Sequence, residues 1–243
     1  MTPPPPVTPK PEGANDHRAT PEGRALLVGG EVKIAKAIGG NDWAGPDTVL
    51  VGVDGAAKAR LVSELRAFAL ARHASVAAYA RALCELVALG APARLVERTQ
   101  QVLGDRVRHT SAAFALLAAC GDPARPSSLP EATDPLATSP ADVARGVVQA
   151  CVGETIAAHR SARRADSHRA MQIREFYNQI AEDEARHVAV AFETLRWLHG
   201  SSAEHRAAVE DAIAAMRVAA TQEVRTVALP LFEEALSTSR AKA

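Results

Sequence analysis

The chain has 243 residues, with 28 Lys and Arg against 28 Asp and Glu, and a mean hydropathy of −0.06. A net charge of zero argues against a nucleic-acid-binding surface, and no apolar stretch reaches the roughly 18 residues of a membrane helix, so neither nucleic acid nor membrane is an expected partner. Aromatic residues make up only 4% while Ala makes up about a fifth, a balance that favours closely packed helices.

Residues 1–24 are rich in proline and polar residues and are expected to form a disordered tail. They hold no apolar leader segment, so the expected location is cytoplasmic. Cys84, Cys120 and Cys151 are far apart and read as reduced core thiols. Residues 25–54 read as an extension. Ala25–Val28 and Glu31–Ile34 flank Gly29-Gly30 as a small hairpin, and residues 39–47 read as loop.

Helical spacing begins near residue 55. Leu65, Phe68, Arg72, Tyr79, Leu83 and Leu86 share one face of a first helix that ends at Gly90. Pro92 opens a second, with Leu95, Val102, Arg106, His109, Ala113 and Leu116 on one face and Gly121 at its end. Residues 121–139 carry four prolines and no period. Ser139-Pro140 caps a third helix, with Val143, Val147, Cys151, Glu154 and Ala158 in line. After a break at Asp166-Ser167, a fourth aligns Ile173, Tyr177, Ile180, Glu184, His187, Ala191 and Leu195 up to Gly200. A capping box of Ser201 with Glu204 starts a fifth helix reaching about residue 237, kinked or broken at Pro230. Residues 55–200 thus form a four-helix unit and 201–243 a C-terminal helix.

The turns between helices 1 and 2, and between 3 and 4, are short, so each pair forms an antiparallel hairpin. The long connection between helices 2 and 3 can run back along the bundle. The expected fold is all-α, an up-down-down-up bundle of two hairpins.

Each of the four helices sets a polar group in its apolar stripe: Arg72, then Arg106 with His109, then Glu154, then Glu184 with His187. In the second half the order is Glu, then Glu-x-x-His. Residues three apart share a helix face, so a carboxylate and an imidazole can reach the same ion. Tyr79 and Tyr177 read as core aromatics. His73, His159, His168, His199 and His205 fall off the stripes and read as solvated.

The segments RHASVAAYARALCELVALGAP, DRVRHTSAAFALLAACG, CVGETIAAHRSA and AEDEARHVAVAFETLRW resemble the ferritin-like superfamily, closest to its bacterial ferritin-like-domain members. The resemblance covers about residues 56–200. It implies a diiron-carboxylate centre whose four helices give Glu, Glu-x-x-His, Glu and Glu-x-x-His. His109, Glu154, Glu184 and His187 match that pattern. Arg72 and Arg106 stand where two of its ligand glutamates belong, and Arg cannot ligate a metal. His73 and Asp105, one residue along, sit about 100° off the ligand face.

A complete centre balances four carboxylates with two divalent ions. Here two carboxylates face two guanidiniums, which also balances. The leading expectation is a divergent ferritin-like protein without the dinuclear iron centre, holding no cofactor. Its Arg72, Arg106, His109, Glu154, Glu184 and His187 core is structural, or is a metal-free pocket for a small anionic ligand. The alternative is an oxidoreductase with at most one Fe or Mn ion on Glu154, Glu184, His187 and His109. A third reading is a non-catalytic subunit paired with an intact ferritin-like paralogue, and a homo-oligomer is a further expected partner.

Overall fold

The computed structural model describes residues 22–45, 53, 55–133 and 135–240, with side chains through 237. The expected tail, up to residue 21, lies outside the described residues. The chain is mostly helical, as the composition requires. Its helices are α1 (Gly55–Ala88), α2 (Ala93–Ala119), α3 (Pro140–Ser167), α4 (Met171–Ser201), α5 (Ala203–Ala219) and α6 (Leu229–Arg240). α1 packs along α2, α3 along α4, and α2 also meets α4. α5 covers α3 and α4, where Val209 and Ile213 join their apolar core.

The helix ends follow their local chemistry. α1 and α2 close on Gly90 and Gly121, both at positive φ. In each case the next amide reaches back five residues, Ala91 to Leu86 at 2.9 Å and Asp122 to Leu117 at 3.0 Å. This turn favours glycine because it needs no Cβ in the left-handed region. Ser139 caps α3 by accepting the Asp142 amide at 3.2 Å, with Pro140 in the first turn.

The expected capping box is displaced by one residue. Ser202, not Ser201, accepts the His205 amide, at 3.0 Å, while Ser201 donates to the Leu198 carbonyl at 2.7 Å. Ser202→Ala is therefore expected to lose about 1 kcal/mol. Ser201→Ala should lose clearly less, and paired thermal melts separate the two.

The fifth helix is also shorter than expected. It breaks at Ala220-Thr221, ahead of Pro230. The chain resumes through one π-helical turn, Val224–Ala228, into α6. Pro230 has no N–H for the Thr226 carbonyl, and the wider turn just before it gives the ring room. Phe232 of α6 then packs on Phe192 of α4, with ring centroids 5.0 Å apart.

The N-terminal hairpin forms as expected. β1 (Leu27–Val28) pairs with β2 (Glu31–Val32), and Gly29 and Gly30 both take positive φ between them. Two further strands were not expected. β3 (Ala37–Gly39) pairs antiparallel with β4 (Ala124–Pro126), tying the extension to the segment between α2 and α3. Cys120 and Cys151 are buried, but Cys84 is exposed rather than a core thiol. His199 is likewise not solvated. It is buried and lies 3.3 Å from Glu210 of α5.

Apolar layers lie above and below the middle of the bundle. One gathers Leu65, Phe68, Phe114, Leu117, Ile173 and Tyr177. Another gathers Tyr79, Leu86, Leu95, Val102 and Val190. Along α1, α2 and α4 the polar stripe residues fall between these two groups, so they meet in the interior. No helix among the described residues is long and apolar enough to cross a membrane.

Candidate functional site

Arg72, Arg106, Glu154, Glu184 and His187 are all within 1% of full burial, and His109 is 5% exposed. Arg106 of α2 is the hub. Its two terminal nitrogens form a fork on Glu184, with Nη2 2.9 Å from Oε2, and Nη2 also donates to Glu154. Arg72 of α1 reaches Glu184 Oε1 through Nη2 at 2.9 Å. One guanidinium thus ties α2 to α3 and α4, and the other ties α1 to α4. Each lies near an aromatic ring: Arg72 is 4.7 Å from the Phe68 centroid and Arg106 is 5.7 Å from that of Tyr79. Aromatic faces offer a buried guanidinium partial compensation for lost water.

The two cations are unequally served. Burial works against the charge on both. On Arg106 the carboxylates of Glu154 and Glu184 outweigh it and raise the pKa above the ordinary arginine value. On Arg72 burial wins over the help from Glu184, and the pKa falls. Among the described residues none of the three guanidinium nitrogens of Arg72 has a hydrogen-bond partner, and Nη2 meets Glu184 as an ion pair only. Burial would raise the Glu184 pKa, but Arg106 and Arg72 overcome it and hold this carboxylate well below its usual range. Burial, reinforced by Glu154, holds the Tyr79 hydroxyl well above its usual pKa.

Two aspartates complete the arrangement. His187 Nε2 lies 2.8 Å from Asp105 of α2, and His109 Nε2 lies 2.8 Å from Asp183 of α4. Each helix therefore supplies the carboxylate for the other's histidine. Sequence reasoning missed both aspartates and set Asp105 aside as off the face. The signal was the repeated Asp-x-x-x-His in Asp105–His109 and Asp183–His187.

The N-terminal segment closes the site. The Arg24 amide donates to Glu154 Oε1 at 2.7 Å, and the Gly23 amide donates to the Gly153 carbonyl at 2.8 Å. Glu22 accepts from Arg164 at 2.7 Å and from Arg160 at 3.2 Å. Glu22, Gly23 and Arg24 were assigned to the tail by sequence, yet they pack on the bundle.

Glu154, Glu184 and His187 each offer a donor atom within 4.8 Å of the others, the spacing of a one-ion site. His109 is not in that set. Its Nε2 faces Asp183, and its Nδ1 has no hydrogen-bond partner among the described residues. A dinuclear iron centre does not fit these residues. Arg106 already engages Glu154 and both oxygens of Glu184, two of the expected ligand positions are guanidiniums that cannot ligate, and their fixed positive charge would repel a divalent ion.

Burial, then the charge of Arg106, push the His109 pKa down to about 4, against help from Asp183 on α4; Arg72 on α1 adds to the fall and Glu184 opposes it. The unfolded chain therefore takes up a proton near pH 6.5, while the folded one holds off until about 4. The stability this gives is complete above pH 6.5 and is lost as pH falls toward 4, by roughly 3 kcal/mol. Urea unfolding across that range should show the loss, and His109→Gln should flatten it.

Compared with known proteins, the chain matches no family model, no curated protein and no solved structure.

Proposed function

We propose that this chain is a divergent ferritin-like bundle protein whose centre is a metal-free internal brace. In this reading two guanidiniums take the place of two metal ions in an up-down-down-up bundle, and the crossover of residues 120–139 joins its two hairpins. The observation that carries it is the position of Arg106. Its guanidinium forks onto Glu184 and reaches Glu154, joining the two carboxylates that remain of the ferritin-like ligand set. The backbone cap from Gly23 and Arg24 favours a closed brace over an open pocket. In this reading the centre's role is structural: it joins α1, α2, α3 and α4 through buried ion pairs.

A second reading, one Fe or Mn ion on Glu154, Glu184 and His187, is supported by their donor spacing. It requires Arg106 to leave the carboxylates it holds.

Elemental analysis of protein expressed with added iron and manganese tests the proposal. Less than one ion per ten chains is expected. One tightly held ion, lost in Glu184→Gln, would favour the second reading, and two ions would overturn both. Substituting both Arg72→Glu and Arg106→Glu restores the ferritin-like ligand set. Four buried carboxylates should then unfold the apo protein, and Fe(II) or Mn(II) should raise its Tm by linkage. A double variant as stable as wild type without metal, and unchanged by it, would sink the reading.

A further inference from the structure

A groove of about 930 Å³ opens between the N-terminal hairpin, α1, the crossover and α3. That volume is in the range of small-molecule sites. Val32 and Leu136, 45% and 38% exposed, give it apolar surface, joined by Leu27 and Met216. Large apolar side chains left this open beside a concave surface are the usual lining for the apolar body of a ligand.

The wall carries three arginines and three carboxylates, but they are not paired one to one. Its three carboxylates are each answered: Glu85 by Arg24 at 3.5 Å, Asp142 by Arg145 at 2.7 Å, and Glu31 by Lys33 at 3.0 Å. Arg81 is different. Its terminal nitrogens meet only the backbone carbonyls of Leu27 and Glu131, at 3.4 and 3.2 Å, and its buried Nε has no partner. Among the described residues no carboxylate pairs with it. A carbonyl offers a dipole rather than a countercharge, so Arg81 keeps a charge that no carboxylate beside it answers. A guanidinium suits a planar acid group, which can accept two hydrogen bonds at once.

We propose that this groove binds an organic monoanion with an apolar body, a carboxylate or sulfonate on a hydrocarbon chain or ring. The acid group pairs with Arg81, and the body lies along Leu27, Val32, Leu136 and Met216. The site is separate from the buried Arg–Glu centre. The backbone of Gly23 and Arg24 stands between them, lining the groove on one side and capping Glu154 on the other. The proposal is thus independent of whether the centre holds metal.

The test is calorimetric titration of the full chain with decanoate, below its micelle concentration, and with 1-decanol. Decanoate is expected to saturate at one per chain, and the alcohol to bind at least about tenfold more weakly, about 1.4 kcal/mol. Arg81→Gln should weaken decanoate by a similar factor, and Arg81→Lys, which keeps the charge but not the fork, should fall between Arg81→Gln and wild type. Gln149→Trp fills the groove from an exposed α3 position and should abolish binding, an arm that holds even if an Arg81 variant fails to fold. No saturable binding to wild type would overturn the proposal. So would equal affinity for decanol, an unchanged Arg81→Gln, or binding to anionic phospholipid vesicles without binding to the monomeric acid.

Discussion

Replacing Arg106 with methionine is expected to cost roughly 3–5 kcal/mol at neutral pH, the range for a buried pair stripped of one partner. In a protein of this size that is a fall in Tm of roughly 10 °C. The loss comes from what is left behind. Glu154 and Glu184 are fully buried, and Arg106 is hydrogen-bonded to both. Without it, Glu184 keeps Arg72 and His187, and Glu154 keeps the Arg24 amide. Arg72→Met should cost less than half as much, although Arg72 is buried to the same degree. Its guanidinium makes one ion pair and, among the described residues, no hydrogen bond, so its removal frees a poorly compensated cation and leaves the Arg106 fork in place. The comparison is made by urea unfolding of both variants at pH 7 and pH 4. At pH 4 burial, no longer opposed by Arg106, favours the protonated form of Glu184, so the deficit relative to wild type should shrink. Equal losses for the two arginines, unaffected by pH, would mean that side-chain volume rather than ion pairing holds the centre together.

The helical class and most helix ends were legible because they depend on local chemistry. The 3- and 4-residue steps of Leu65, Phe68 and Arg72 set a face, and Gly90, Gly121 and Ser139 set ends, with no reference to the rest of the chain. Five of the six expected site residues meet in one network for the same reason, since all lie on apolar stripes. His109 is the sixth, turned to Asp183 on the flank of α4. Asp105 and Asp183 were not legible by stripe. They sit beside the ligand face, and what draws each inward is a histidine on a facing helix, which one-helix periodicity does not represent. The break at Ala220-Thr221 lacks a proline or glycine of its own, and the Ser202 cap differs from the expected one by a single residue. The three-residue strands β3 and β4 are too short to show a period.

The N-terminal segment was the least legible element, because its partners lie about 130 residues away. Gly153→Ala measures how much it matters. In the interior of a helix this substitution ordinarily stabilises by about 1 kcal/mol. Here the sign should reverse. A Cβ at position 153 would come 2.1 Å from the Gly23 carbonyl oxygen, and backbone rather than a flexible side chain would have to yield. Gly23 has no freedom to move inward, because its own Cα already stands over the guanidinium of Arg72, and a Cβ there would meet Nη1 at 2.7 Å. The segment must therefore lift. That breaks the Gly23–Gly153 and Arg24–Glu154 hydrogen bonds and pulls Glu22 from Arg160 and Arg164. Two hydrogen bonds, one of them to a carboxylate, are together worth roughly 3 kcal/mol, so a net loss of about 2 kcal/mol is expected after the gain in helix propensity. Gly146→Ala, on the same helix, is the control. Its nearest neighbour is the end of the Arg24 side chain at 3.6 Å, which can move aside, so that variant should be as stable as wild type or more so. Hydrogen exchange gives the direct readout. In wild type the Arg24 amide, bonded to a buried carboxylate, should be protected. In Gly153→Ala it should exchange at least about a hundredfold faster, the factor expected when an opening of roughly 3 kcal/mol is abolished. Trypsin should also cut after Arg24 sooner. If Gly153→Ala instead stabilises the protein and leaves Arg24 protected, the segment does not seat on α3, and Glu154 is not closed off by the backbone above it.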